Sequence, residues 1–311
     1  MINPVSIRDL IDFPKPVKVS YQHVESCEGI DFVKENWYLM AWGMGDAINA
    51  VFFLEGQSPV PYKILCPPRN WSAIKFVLDN FVPNPKCKVV CTYPQQEGYP
   101  IPQEEVVMSA QGFGPQNVGM AHQIGKLKVV HTSPRVWCNI NNLHQSGIFQ
   151  TIEEYGQKYK FDKEKTCILF PERGDSYQLP DSFWMDIVST LNRKGYKTYV
   201  NSTDKSDVYK NEKVFEGTEK LDKPYIKDLF DFIVHHGNII TIGQRSGIFD
   251  LLKYFDFRKI IFYPDVVDPE MPDKARTNVA DVIFEGDTHA RNVVDVLLSK
   301  YDKNLLELII P

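Results

Sequence analysis

The sequence lacks a basic segment followed by a short apolar run at its start: Met1-Ile2-Asn3-Pro4 leads straight to Arg8-Asp9. That pattern does not read as a secretory signal. It also lacks any apolar run near the ~18 residues that a membrane-spanning helix needs. It has no excess of basic residues. The net charge is −5 over 311 residues, which argues against a nucleic-acid surface, since phosphate contacts need a clustered basic face. Cysteine is sparse, at six residues: Cys27, Cys66, Cys87, Cys91, Cys138 and Cys167. Cys87 and Cys91 have no second Cys/His pair at matching spacing, so a zinc site is not expected. Cys66 and Cys167 fall inside apparent strands, as buried reduced thiols do. No clustered Asp-X-Asp appears, and no full three-glycine dinucleotide fingerprint. The expectation is a soluble, cytoplasmic chain without a resident metal or cofactor.

The chain does have ample apolar material. Hydrophobic residues make up 43% and aromatics 13%, enough for cores in the roughly two domains that this length suggests. Short β-branched runs alternate with amphipathic stretches in both halves, which implies parallel sheets covered by helices. In the first half, an edge strand is expected at 17–21 and a strand at Tyr38–Trp42. A loop over Gly43-Met44-Gly45-Asp46 and a helix over 47–55 follow. Next come a strand at 62–66, a helix at 71–81 with Ile74, Val77, Leu78 and Phe81 as its stripe, and strands at 88–90, 106–108 and 128–131. Residues 93–102 read as a loop, and 112–117 as either an acceptor-side loop or a connection. His122 falls on an expected short helix; it, His131 and His144 are candidates, although a single histidine is more often structural than catalytic. The polar stretch 149–163 marks the domain boundary, giving domains 1–155 and 156–311.

In the second half, strands are expected at 166–170, 197–201, 214–217, 239–242, 259–263 and 281–284. Helices are expected at 183–193, capped by Asp181 or Ser182 and stopped by Gly195, at 225–236, at 248–255 and at 291–301. The organising stretch is Ile239 to Leu252. A buried strand ends at Gly243, Ser246 caps the following helix, and Gly247 allows close approach. A helix N-terminus beside Arg245 is a place for an anion such as a nucleotide phosphate; the same pattern also suits a plain connecting turn with a surface arginine. Gly43 and Gly45 similarly leave room for a ligand against the main chain. Asp46 is either a cap or a functional carboxylate at a strand's carboxyl end. Arg173, Arg245, Ser246 and Asp46 all fall at carboxyl ends of expected strands, where two facing domains would share a cleft.

These features resemble the ADP-heptose:lipopolysaccharide heptosyltransferase family of GT-B glycosyltransferases. Gly43-Met44-Gly45-Asp46-Ala47-Ile48 is similar to that family's first-loop motif, whose aspartate is taken as catalytic base. Leu179-Pro180, Trp184, Leu191 and Gly195-Tyr196 resemble its donor-domain helix. Gln244-Arg245-Ser246-Gly247 falls where the family has a turn beneath the donor phosphates. Arg245 replaces the family's aspartate and Asp250 stands where a histidine is usual. The Arg-Ser-Gly turn also resembles fucosyltransferases that bind GDP-sugars, without the middle of their pattern.

The resemblance implies an α/β fold of two Rossmann-like parallel-sheet domains facing a cleft: an acceptor-side domain, then a donor-binding one. It implies transfer of a sugar from a nucleotide-sugar donor to a glycan or glycolipid acceptor, inverting, with Asp46 as base and no metal. Arg173, Gln244, Arg245, Ser246, Gly247, Asp250 and Glu216 are the donor-side candidates. Gly43, Gly45 and His122 are the acceptor-side ones. Peripheral contact with a membrane is compatible with this reading. A nucleotide-sugar epimerase of the same fold and a non-catalytic glycan-binding protein are the alternatives.

Overall fold

The computed structural model describes residues 21–26, 29–30, 36–40, 44–92, 121–124, 127–130, 154, 164–171, 179–201, 213–221, 226–244, 246–263 and 291–311; the side chains of 121–124, 127–130, Leu39, Asp46, Asn49, Phe53, Gln57 and Ser299 are outside that description. Two six-stranded sheets result. The first contains β1 (Gln22–Val24), β2 (Trp37–Leu39), β3 (Tyr62–Cys66), β4 (Cys87–Thr92), β5 (Ala121–Ile124) and β6 (Leu127–Val130), with helices α1 (Met44–Gln57) and α2 (Pro68–Phe81). The second contains β7 (Thr166–Phe170), β8 (Lys197–Val200), β9 (Glu219–Lys220), β10 (Ile239–Gln244), β11 (Arg258–Tyr263) and β12 (Val293–Leu297). Its helices are α3 (Asp181–Arg193), α4 (Ile226–His235), α5 (Phe249–Leu252) and α6 (Lys303–Ile309).

The second sheet is parallel throughout, in the order β12-β11-β10-β7-β8-β9. The chain starts at β7, winds outward through β8 and β9, then returns to the other side of β7 for β10, β11 and β12. That is the doubly wound order, and its switch point lies between β7 and β10. The first sheet runs β1-β4-β3-β2-β6-β5 and switches between β2 and β6. Its last pair, β5 with β6, is antiparallel, so this half is not the purely parallel sheet expected. β7 and β10 are buried at every position, as strands covered on both faces must be.

Several elements differ from the sequence reading. Residues 291–301 form strand β12 and a 3₁₀ turn at Leu298–Lys300 instead of a helix. The β-branched Val293, Val294 and Val296 suit an edge strand, and they pair in register with β11. His122 lies on β5, opposite Val129, not on a helix. Residues 213–217 turn rather than extend: Thr218 donates from its amide and its hydroxyl to the Phe215 carbonyl, and Gly217 has φ +80°. Gly243 does not end its strand but pairs opposite Phe170 inside β10. The N-cap of α3 is Pro180, with no side-chain cap from Asp181 or Ser182. Ser246 is likewise not the cap of α5, which starts after Ile248 and spans four residues. The first strand sits at 22–24, just after the place expected. The expected strands at 106–108 and 281–284 lie outside the described residues.

Gly195 ends α3 as expected. It has φ +76°, and the Tyr196 amide donates to the Leu191 carbonyl while the Gly195 amide donates to Asn192. This paired closure satisfies two of the helix's last carbonyls.

Two apolar clusters hold the molecule together. One joins the outer face of the second sheet to α3 and α6, through residues such as Leu169, Ile187, Leu191, Ile242, Phe262 and Leu306. The other runs from α1 and α2 of the first half into α4 and α5 of the second. Phe76 meets Phe230 with ring centroids 4.9 Å apart, Phe81 meets Phe255 at 6.0 Å, and Phe52 meets Tyr254 edge-on at 5.6 Å. Among the described residues, no helix is long and apolar enough to cross a membrane.

Candidate functional site

The two switch points abut. Helix α1 begins at Met44, past the carboxyl end of β2, and the 246–248 turn follows the carboxyl end of β10. Their backbones touch at two glycines. A methyl group placed on Gly247 would stand 2.5 Å from the Gly45 nitrogen, and one placed on Gly45 would stand 2.8 Å from the Gly247 Cα. No real side chain tolerates such distances, so glycine at both positions is what lets the two halves close on one another.

Asp250 completes the seam. It is 2% exposed, and a Gly45 methyl would lie 2.1 Å from its Oδ2. Its carboxyl group therefore rests over the first turn of α1. There a 14-residue helix presents amides without intrahelical partners and the positive end of its dipole. Asp250, one of the donor-side candidates, lies against the opposite half of the chain.

One layer below lies Gln244, 1% exposed at the end of β10. Its Nε2 donates to the Pro171 carbonyl at 3.3 Å, across the gap between β7 and β10. Its Oε1 is buried and has no hydrogen-bond partner among the described residues. A buried amide oxygen left this way costs free energy unless a donor reaches it, and it stands where doubly wound sheets bind ligands. Gly243 beside it makes room for the stack beneath: a methyl there would come within 2.7 Å of Phe170 and 2.9 Å of Phe249. Ser246 is half-buried, and its carbonyl accepts from the Phe249 amide at 3.0 Å.

The structure thus brings Gly45, Gln244, Ser246, Gly247 and Asp250 together, with the backbone of Asp46 in the first turn of α1. It does not bring Glu216 there. That residue is exposed in a turn whose Gly217 faces Asn192, near the C-terminal end of α3. Gly43, Arg173 and Arg245 lie outside the described residues, as do the side chains of Asp46 and His122. The shortness of α5 matters for charge. Four residues carry little macrodipole, so a phosphate here would rely on side chains and loop amides, not on the helix end that the sequence suggested. Among the described residues, no three His, Cys, Asp or Glu side chains converge as metal ligands.

Sequence reasoning missed the pairing of Gly45 with Gly247 and the place of Asp250. The only local signal was a glycine in each loop.

No protein-family model matches the sequence, and no curated protein does. The fold does match solved structures. The chain is similar to E. coli heptosyltransferase WaaC with ADP, at 9% identity and a TM-score of 0.50, covering 88% of this chain and 96% of that one. It is also similar to the same enzyme with ADP-2-deoxy-2-fluoro heptose, at 11% identity and a TM-score of 0.53, covering 88% and 98%. The two-sheet GT-B fold expected from the sequence is therefore the fold observed.

Proposed function

We propose that this chain is a glycosyltransferase that moves a sugar from a nucleotide-sugar donor to a glycan or glycolipid acceptor. The observation that carries the reading is the meeting of two switch points, one from each sheet, at Gly45 and Gly247, with the unpartnered Gln244 Oε1 beside them. A donor and an acceptor held by separate sheets need such a junction. The GT-B likeness to an enzyme described with ADP and with an ADP-sugar supports a nucleotide-sugar in the second half.

In this reading Asp46 takes the proton from the acceptor hydroxyl as it attacks the anomeric carbon. The bond from that carbon to the diphosphate breaks, and the electron pair leaves with the nucleotide. Arg245, Arg173 and the amides of Ser246 and Gly247 stabilise the charge that develops there. Gln244 accepts a hydrogen bond from the donor.

The test is a thermal-shift series with ADP, GDP, UDP and CMP, followed by a transfer assay with the stabilising nucleotide's sugars. A ligand at a hundred times its dissociation constant adds about 2.7 kcal/mol of stability. One nucleotide should stabilise the wild type and lose that effect in Arg245→Ala. Asp46→Ala should bind donor normally and fail to transfer; loss of donor binding instead would remove Asp46 from the base role. Donor turnover without any acceptor would point to an epimerase, and no shift with any nucleotide would overturn the reading.

A further inference from the structure

At the opposite end of the second sheet lies a cavity of about 420 Å³, within the size range of small-molecule sites. Its walls are the segments that lead into β7, β8, β10, β11 and β12, at their amino ends. The six residues of β10 separate it from the glycine seam by roughly 16 Å. It is therefore distinct from the junction assigned to the donor, and the inference does not depend on that assignment.

Its charged lining has an excess of cations. Lys165, Arg258 and Arg291 line it against the Asp256 carboxylate, and His236, Asn238 and Asn292 complete the polar wall. Arg258 is only partly exposed, and its Nε is buried with no hydrogen-bond partner. Neither Arg258 nor Lys165 forms an ion pair among the described residues. Lys165 instead stands over the Tyr196 ring, its Nζ 5.4 Å from the centroid. A guanidinium N–H withdrawn from water without an acceptor is costly, and planar oxyanions fit its fork. Aromatic side chains form much of the remaining wall: Tyr196, Phe255 and Phe257 line it, with the Phe255 and Phe257 rings stacked at 6.1 Å between centroids.

We propose that this cavity is a second small-molecule site, which takes an organic oxyanion: a carboxylate or phosphate ester carried on a flat apolar body. The anion seats against Arg258 and Lys165, and the ring lies along Tyr196 and Phe257.

The test titrates benzoate, phenyl phosphate and neutral benzyl alcohol into the full chain by saturation-transfer NMR, in the wild type, Arg258→Gln and Lys165→Ala. At least one anion should bind, with benzyl alcohol weaker by about tenfold or more, as expected for a charge-assisted contact. The tighter anion names the head group. Each variant should weaken that anion several-fold while the thermal response to nucleotides stays as in the wild type. Lys165 is exposed, so its replacement keeps the test valid even if Arg258→Gln perturbs folding. Equal binding of all three probes, no loss in Lys165→Ala, or no binding at all would each overturn the proposal.

Discussion

At the scale of single residues, Gly45, Gly247 and Asp250 control how closely the two halves approach. Gly247→Ala drives a methyl into backbone that has no rotamer to yield. It should cost roughly 1–3 kcal/mol, the range for overpacking, in urea unfolding, and it should weaken nucleotide binding in parallel. Gly45→Ala collides first with the end of the Asp250 side chain. Its penalty should shrink in an Asp250→Ala background, and a double-mutant cycle should return a coupling of roughly 0.5–3 kcal/mol. Additive losses would mean that Asp250 is not what fills that space.

A second residue-scale feature sits at the other end of α1. The Glu55 carboxyl, 2% exposed, accepts from the Tyr62 hydroxyl at 2.7 Å, the Lys86 amide at 3.0 Å and the Cys87 amide at 3.1 Å. Burial, and then the nearby Glu55 charge, push the Tyr62 phenol well above its ordinary 10.0. Above that pH the unfolded chain gives up a proton that the folded chain keeps. The stability from Tyr62 is therefore complete below about pH 10 and declines above it. In an alkaline titration followed by tyrosinate absorbance, Tyr62 should ionise only as the protein unfolds. The sequence showed a glycine in each loop but not that the two glycines meet, because their contact links positions some two hundred residues apart and leaves no local pattern. Glu55 was equally invisible, since a glutamate near a helix end ordinarily faces water.

At the scale of elements, what was legible is what local chemistry dictates. The continuous runs of β7 and β10 and the Ile74, Val77, Leu78 and Phe81 stripe of α2 appear as read. So does the stop at Gly195. Because a methyl there would meet nothing within 4 Å, Gly195→Ala isolates the cost of the left-handed backbone. It should destabilise by about 1 kcal/mol in chemical denaturation. What failed was what tertiary context decides. Residues 293–297 carry a spacing compatible with a helix, but an open sheet edge beside β11 captures them as a strand. Residues 248–255 are apolar enough for two helical turns, yet the chain leaves the helix after Leu252. The following Tyr254 and Phe255 turn toward Phe52 and Phe81 in the other half.

At the scale of the whole molecule, the sequence implied two domains across a cleft. The structure adds a common apolar core beneath the glycine seam. Phe76 and Phe230 lie at its middle, 3% and 0% exposed, one from each half. Phe76→Ala should cost about 3–5 kcal/mol, as large-to-small core changes do. It should lower one shared transition rather than split it in two. Fluorescence from Trp71 in the first half and Trp184 in the second, each isolated by replacing the other tryptophans, should report coincident unfolding curves. Separate midpoints would show that each half stands alone.

The same fused core has a consequence for the covalent link between the halves. If buried aromatic rings hold the two sheets together, the peptide connection between β6 and β7 serves mainly to keep their concentrations matched. Two fragments, 1–155 and 156–311, made in one cell from separate messages, should find each other and reconstitute a working pair. Each produced alone should present the rings of Phe76 or Phe230 to water and clump.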